Sequence, residues 1–249
     1  MNVLSDLNLE QLLMVLAERE QFVFLDTVKP DPENATSLLF LDPVSRLQCC
    51  SGDDAQLFLA QVESALAAGY HVAGWFSYEF GYLLEERLQG LLWRPDDGSL
   101  LLADLGIFSE PCLFDHRSGK SNFPGLPADI PGARDSGPSL ACDCQVKNIR
   151  PSQERDAYLQ AIQAIQQYIR AGDTYQVNYT LKLLFDFCGT PEALYKILRR
   201  NQSVAYGAYM RLGESRLLSF SPELFFRKDA DGIMVRPMKG TMHLSLIHI

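Results

Sequence analysis

The stretch Ser219-Phe-Ser-Pro-Glu-Leu-Phe-Phe226, followed by Val235-Arg-Pro-Met-Lys-Gly-Thr241, decides how the rest of the chain is read. Two apolar runs, 216–228 and 233–239, flank Asp229-Ala-Asp-Gly232, whose residues tolerate turn dihedrals, and the pattern predicts a β-hairpin. A three-residue loop, Ala230-Asp-Gly232 with the glycine left-handed, sets Glu223 opposite Lys239 on one face, with Cβ atoms about 4.5–5.5 Å apart. A four-residue loop moves the pairing by one residue and sends the two side chains to opposite faces. Two readings of the pair stand open. One is a surface cross-strand ion pair, worth at most about 1 kcal/mol. The other is a buried acid and amine serving as general acid and nucleophile. The second needs a lysine whose pKa is lowered by desolvation or by its neighbours, and Phe220, Phe225, Phe226 and Met238 are the apolar wall available for it.

Working outward, strands are expected at 205–212 and 216–221. Thr190-Pro-Glu192 opens a helix with cap, first-turn proline and first-turn acid in their favoured places. A longer helix over 152–171 carries Tyr158, Ile162, Ile165 and Ile169 on one stripe, with Gly172 just past its end. Residues 174–187 alternate as a strand: Tyr175, Val177, Tyr179 and Leu181 on one side, Gln176, Asn178, Thr180 and Lys182 on the other. That polar side fits a ligand-facing wall and a solvated sheet face equally well. Prolines and glycines interrupt every period over 118–150, which reads as a linker or a loop excursion within one domain. Nearer the N-terminus, Leu9, Leu12, Leu13 and Leu16 predict a helix within 5–20 capped by Ser5 or Asp6. Strands follow at 22–26 and 37–41, then a helix over 53–68 using Leu57, Val62 and Leu66 and stopped by Gly69. An aromatic strand at 72–79, a short helix, and strands at 101–108 and 112–115 complete the reading. Successive hairpins with flanking helices, and no repeated β-α-β rhythm, predict an α+β fold.

At 249 residues and 47% apolar content, the chain is long enough for one large domain or two small ones. A formal charge of −9 argues against nucleic acid or an anionic membrane as the main partner, while leaving room for a locally positive site that takes a small anion. Six cysteines, Cys49, Cys50, Cys112, Cys142, Cys144 and Cys188, form no C-x-x-C pair and have no histidine cluster beside them, which argues against structural zinc. Glycine-rich phosphate loops, a G-x-S-x-G elbow and H-E-x-x-H are all absent. His71, His116, His243 and His248 are isolated and read as surface or core residues, and Trp75 and Trp93 as packing residues. The N-terminus lacks a basic region and no apolar run reaches about 18 residues, so the expected location is a reducing cytoplasm.

Three motifs in order carry a resemblance: Tyr168-Ile-Arg-Ala-Gly-Asp-Thr-Tyr-Gln-Val-Asn178, Ser221-Pro-Glu223, and Arg236-Pro-Met-Lys-Gly-Thr241. Together they resemble the chorismate-utilising enzymes, and within them the component I of aminodeoxychorismate synthases. Gly74-Trp-Phe-Ser-Tyr-Glu-Phe-Gly-Tyr-Leu-Leu-Glu-Glu86 is the landmark of the N-terminal region. The resemblance implies an anthranilate synthase component I-like β-sandwich with flanking helices, incomplete at its C-terminus. It divides the chain into an N-terminal region (1–117), a linker (118–150), the first part of a chorismate-binding domain (151–242) and a tail (243–249) unlike the family.

The resemblance also implies roles. Lys239 attacks C2 of chorismate while the C4 hydroxyl departs, helped by Glu223 as general acid and by Mg²⁺. Ammonia from a separate glutamine amidotransferase subunit then attacks C4 and expels the lysine. Gly240 and Thr241 offer donors to a substrate carboxylate, and Gln176 and Asn178 face the substrate. Isochorismate-forming relatives carry a lysine where this chain has Gln176, and anthranilate synthases a small residue where it has Lys239. An N-terminal pocket that binds tryptophan in the family maps to Thr27, Ser37, Ala205, Tyr206 and Gly207, but Phe24-Leu-Asp-Thr27 departs from the Leu-Leu-Glu-Ser of feedback-inhibited members. The metal-binding glutamates of the family are expected beyond Thr241, so the chain reads as an inactive fragment. The competing readings are the anthranilate branch and a non-catalytic module that binds tryptophan or the amidotransferase.

Overall fold

The computed structural model describes residues 1–96, 100–128, 144–230 and 232–237. From the N-terminus run α1 (Asp6–Ala17), β1 (Phe22–Asp26), β2 (Thr36–Leu41), β3 (Ser45–Cys50), α2 (Ala55–Ala67) and β4 (His71–Phe76). Then come α3 (Phe80–Leu84), α4 (Glu86–Gln89), β5 (Leu101–Phe108), β6 (Cys112–Asp115), β7 (Gln145–Pro151) and α5 (Arg155–Ala171). The last are β8 (Leu183–Cys188), α6 (Pro191–Asn201), β9 (Tyr206–Leu212), β10 (Ser215–Ser221), β11 (Leu224–Lys228) and β12 (Ile233–Arg236). The chain forms two compact units, Met1–Ser139 with Tyr195–Ile249, and Leu140–Leu194.

In the first unit an antiparallel five-stranded sheet has the order β10-β9-β1-β2-β6. Strand alternation gives it two buried faces. Phe22, Phe24, Leu39, Phe114 and Tyr209 point to one, where they meet Leu9, Leu12, Leu13 and Leu16 of α1 and Tyr195 of α6. Val23, Phe40, Ala208, Met210 and Leu212 point to the other, where they meet Ala73 of β4 and Phe108 of β5. Strands β3, β5 and β4 form a second antiparallel sheet, and α2 and α3 supply Phe58 and Phe80 to a third cluster with Leu102 and Leu105. The α1 helix starts as expected: the Ser5 hydroxyl accepts from the Asn8 N–H at 3.2 Å.

The second unit is a β7–β8 ribbon with α5. Gly172 ends α5 at φ 81°, and the Asp173 N–H reaches the Tyr168 carbonyl at 3.0 Å, the closing bond of a Schellman turn.

Several expectations are corrected. Helix α2 buries Ala55, Phe58 and Ala65, while Leu57 and Leu66 are exposed; the small alanines hid the true stripe. Trp93 is exposed, which excludes core packing and leaves packing at an interface. The expected strand over 174–187 exists only as β8. Its partner β7 ends with Pro151 opposite Leu183, so the alternating residues before it have no ladder. Strand β3 was not anticipated. The proposed linker contains the buried Phe123 and most of β7, and the expected regions do not coincide with the two units, because β9 and β10 join the sheet of β1 and β2.

Candidate functional site

The pairing of β1 with β9 sets Asp26 opposite Gly207. A Cβ on Gly207 would stand 2.8 Å from the Asp26 carbonyl oxygen, so the close approach of these strands requires glycine there. Just past this pair lies a cavity of about 510 Å³ lined by Thr27, Asn34, Ala205, Tyr206, Gly207 and Ser219, with Glu223 and Arg227 on its wall. Four of the five residues expected to form the tryptophan pocket therefore line one cavity. The fifth, Ser37, lies fully buried behind it.

Ser37 shapes that wall through a chain of hydrogen bonds. Its hydroxyl accepts from the Thr27 N–H at 3.0 Å and lies 2.8 Å from His116 Nε2. His116 Nδ1 is 2.9 Å from the Asn2 carbonyl. A carbonyl oxygen only accepts, so Nδ1 carries a proton, and in the neutral ring Nε2 then accepts from the Ser37 hydroxyl. His116 is a core histidine. Burial pushes its pKa below 6.5, against the opposing pull of the Asn2 carbonyl and the Asp26 carboxylate.

Beneath the cavity, the fully buried Asp26 carboxylate accepts from Arg199 Nε at 2.6 Å and from the Tyr195 hydroxyl at 2.9 Å. Burial drives the Tyr195 phenol well above its ordinary pKa, so it stays a neutral donor. Lys196 of α6 pairs with Glu10 of α1, and burial lowers its pKa. Neither the helix stripe nor the composition singled out Tyr195, Lys196 or Arg199. The signal lay in the charged and aromatic residues at 195, 196 and 199 of an amphipathic helix.

The hairpin forms, with a different register. Lys228 opposes Ile233 and Arg227 opposes Met234, which is the four-residue loop, and a shift between Leu224 and Arg227 places Leu224 opposite Arg236. The Asp229 N–H donates to the Gly232 carbonyl at 3.0 Å, and the Gly232 N–H to the Asp229 carboxylate at 3.1 Å, so the aspartate closes the wider loop. Glu223 follows a turn in which its N–H donates to Ser221 Oγ at 3.2 Å. It is exposed, and Phe225 and Phe226, two of the residues expected to wall in the lysine, are exposed as well. Lys239, Gly240 and Thr241 lie outside the described residues.

Gln176 and Asn178 belong to the second unit, are exposed, and bond to each other at 3.3 Å. Among the described residues no group of three or more His, Cys, Asp or Glu side chains converges as a metal site. No helix among them is long and apolar enough to cross a membrane.

The loop expected at 30–34 between the strands β1 and β2 contributes Glu33 and Asn34 to the lining of this site. The Asp31 carboxylate accepts from the Glu33 and Asn34 N–H groups, both at 2.8 Å, and from Asn34 Nδ2 at 2.9 Å. Those bonds, the Asn34 side chain first, hold its pKa below 3.8. The signal was present in Asp31-Pro-Glu-Asn34, a spacing suited to an Asx turn.

Three comparisons bear on what this architecture is. Over 198 residues the chain is 32% identical to an anthranilate synthase component 1 of Thermus thermophilus, covering 68% of this chain and 39% of that protein. Over 171 residues it is 30% identical to an aminodeoxychorismate synthase component 1 of Klebsiella aerogenes, covering 66% of this chain and 37% of that protein. A solved chain described as a 2,3-dihydroxybenzoate-specific isochorismate synthase from Bacillus anthracis superposes with a TM-score of 0.49 and 13% identity, over 88% of this chain and 48% of that one. The chain spans less than two fifths of the length of those two curated relatives. The chorismate binding enzyme family matches residues 20–246, and the chain belongs to that family.

Proposed function

We propose that this chain contributes to an enzyme that aminates chorismate at C4, giving 4-amino-4-deoxychorismate, with ammonia delivered by a glutamine amidotransferase partner. The observation that carries the reading is Lys239 in Arg236-Pro-Met-Lys-Gly-Thr241, following a strand that pairs with the strand just after Glu223. The relative from Klebsiella aerogenes named aminodeoxychorismate synthase component 1 supports it. The two sheets that share the Val23, Phe40 and Phe108 cluster would be the sandwich of that enzyme.

The chemistry follows from where the nucleophile goes. The free amine of Lys239 adds to C2, the two ring double bonds shift, and the C–O bond at C4 breaks. Hydroxide is a poor leaving group, and Glu223 delivers the proton that lets water depart. Ammonia then adds at C4, the double bonds shift back, and the C2–N bond to lysine breaks. A lysine occupying C2 is what directs ammonia to C4. Without it, ammonia adds at C2 as the C4 hydroxyl departs, and loss of the enolpyruvyl group as pyruvate then gives anthranilate. Gln176, Asn178, Gly240 and Thr241 would hold the substrate. Mg²⁺, held by carboxylates, would supply the polarisation that eases departure of the hydroxyl. The cavity at Thr27 and 205–207, with Ser37 behind it, would take tryptophan.

A second reading, the anthranilate branch, is favoured by the Thermus thermophilus relative. Incubating the full-length gene product with chorismate alone discriminates through mass spectrometry. Under our reading Lys239 gains the mass of chorismate less one water, and Lys239→Ala abolishes both adduct and product. An unmodified lysine together with unimpaired amination by Lys239→Ala would overturn it.

A further inference from the structure

The β11–β12 hairpin pairs with no other strand among the described residues, and both of its faces are largely exposed. A two-stranded ribbon of this length is marginal by itself in water. Side chains tie it to the loop at 31–34. Arg227 Nη2 donates to Asn34 Oδ1 at 2.8 Å, and Arg236 Nη2 lies 2.6 Å from Glu33 Oε2. Asn34 is itself buried and fixed by Asp31, so one end of the tie is rigid. Arg117 Nη2 adds a bond to the Pro32 carbonyl at 2.6 Å, bracing the loop from the other side. Glu223 directly precedes β11, so whatever fixes the hairpin fixes where its carboxylate stands.

We propose that Glu33 and Asn34 are positioning residues, which latch the hairpin through Arg236 and Arg227 and so set the placement of Glu223. The consequence for catalysis rests on the reading of Glu223 as general acid. The latch spans the same cavity that Thr27 and 205–207 line, so the loop at 31–34 connects the cavity wall to the hairpin.

Glu33 and Arg236 are each about half exposed, at 47% and 48% of their side chains, so exchanging them leaves the core untouched. The test uses the full-length gene product and the variants Glu33→Arg, Arg236→Glu, Arg227→Ala and the exchanged pair Glu33→Arg/Arg236→Glu. Two quantities are measured: hydrogen exchange of the amides at 224–228, and steady-state kinetics with chorismate and ammonium. An exposed ion pair is weak, so each single variant should speed hairpin exchange and lower kcat by about two- to fivefold. KM for chorismate should not move, since the acid acts in the transition state. The exchanged pair should restore both quantities. Unchanged hairpin exchange in the single variants, or an exchanged pair no better than its parents, overturns the latch. Faster exchange with unaltered kcat leaves the latch standing and sinks the role assigned to Glu223.

Discussion

The two walls of the cavity are built in opposite ways. The wall made by β1, β2 and β9 is buried and its polar groups are satisfied in series: Thr27, Ser37, His116 and Asn2 above, Asp26, Tyr195 and Arg199 below. The wall made by the hairpin is exposed and tied down by surface side chains, Arg227 to Asn34 and Arg236 to Glu33. Buried polar groups are costly to disturb because each one left without its partner loses its hydration uncompensated. Surface ties are cheap to disturb and sensitive to salt. A rigid, buried wall facing an exposed, adjustable hairpin is what this contrast describes.

The largest effect should come from the buried wall. Asp26→Ala leaves Arg199 charged and buried with no carboxylate, and should destabilise the protein by about 3–5 kcal/mol in urea unfolding. A loss under 1 kcal/mol would mean Arg199 finds another partner and the wall is less rigid than described. Gly207→Ala comes next. Its methyl group meets the Asp26 carbonyl, and overpacking of this kind costs about 1–3 kcal/mol. A neutral result would mean β1 and β9 part easily.

Acid should loosen the same wall before it touches the hairpin. His116 has a depressed pKa in the folded state, so below about 6.5 the unfolded chain takes up a proton that the native state refuses. Its linkage is absent above that pH, and stability falls as pH drops below it. Urea midpoints from pH 8 to pH 5 should show the decline, and His116→Gln should flatten it. The smallest effect belongs to the hairpin. Raising salt should speed exchange at 224–228 while leaving the Thr27 amide protected, because an exposed pair is screened and a buried hydrogen bond is not.

Local signals were legible in the sequence. Ser5 and four leucines fixed α1, Gly172 fixed the end of α5, and strands β1, β5 and β6 fell where alternation and turns put them. What depended on distant partners was not. The 174–182 alternation suggested a strand, but a ladder needs an opposite chain, and β7 ends too early to supply it. The true face of α2 was masked because alanine signals burial weakly, whereas Leu57 and Leu66 signal it strongly while facing solvent. The union of β1 with β9 joins residues far apart in sequence, and no local pattern announces it. The hairpin was visible, but its register turned on one residue of loop length and a bulge, and Asp229 decided that through its bonds to Gly232. The motifs single out Glu223 and Lys239 for the proposed chemistry. The latch through Asn34 and Glu33 emerged from packing alone.

The central claim is that amination occurs at C4 of chorismate because a lysine occupies C2. The direct measurement is the product formed when the full-length gene product is incubated with chorismate and ammonium and the mixture is separated by chromatography. The account predicts 4-amino-4-deoxychorismate, lost on Lys239→Ala. Fluorescent anthranilate as the wild-type product would contradict it.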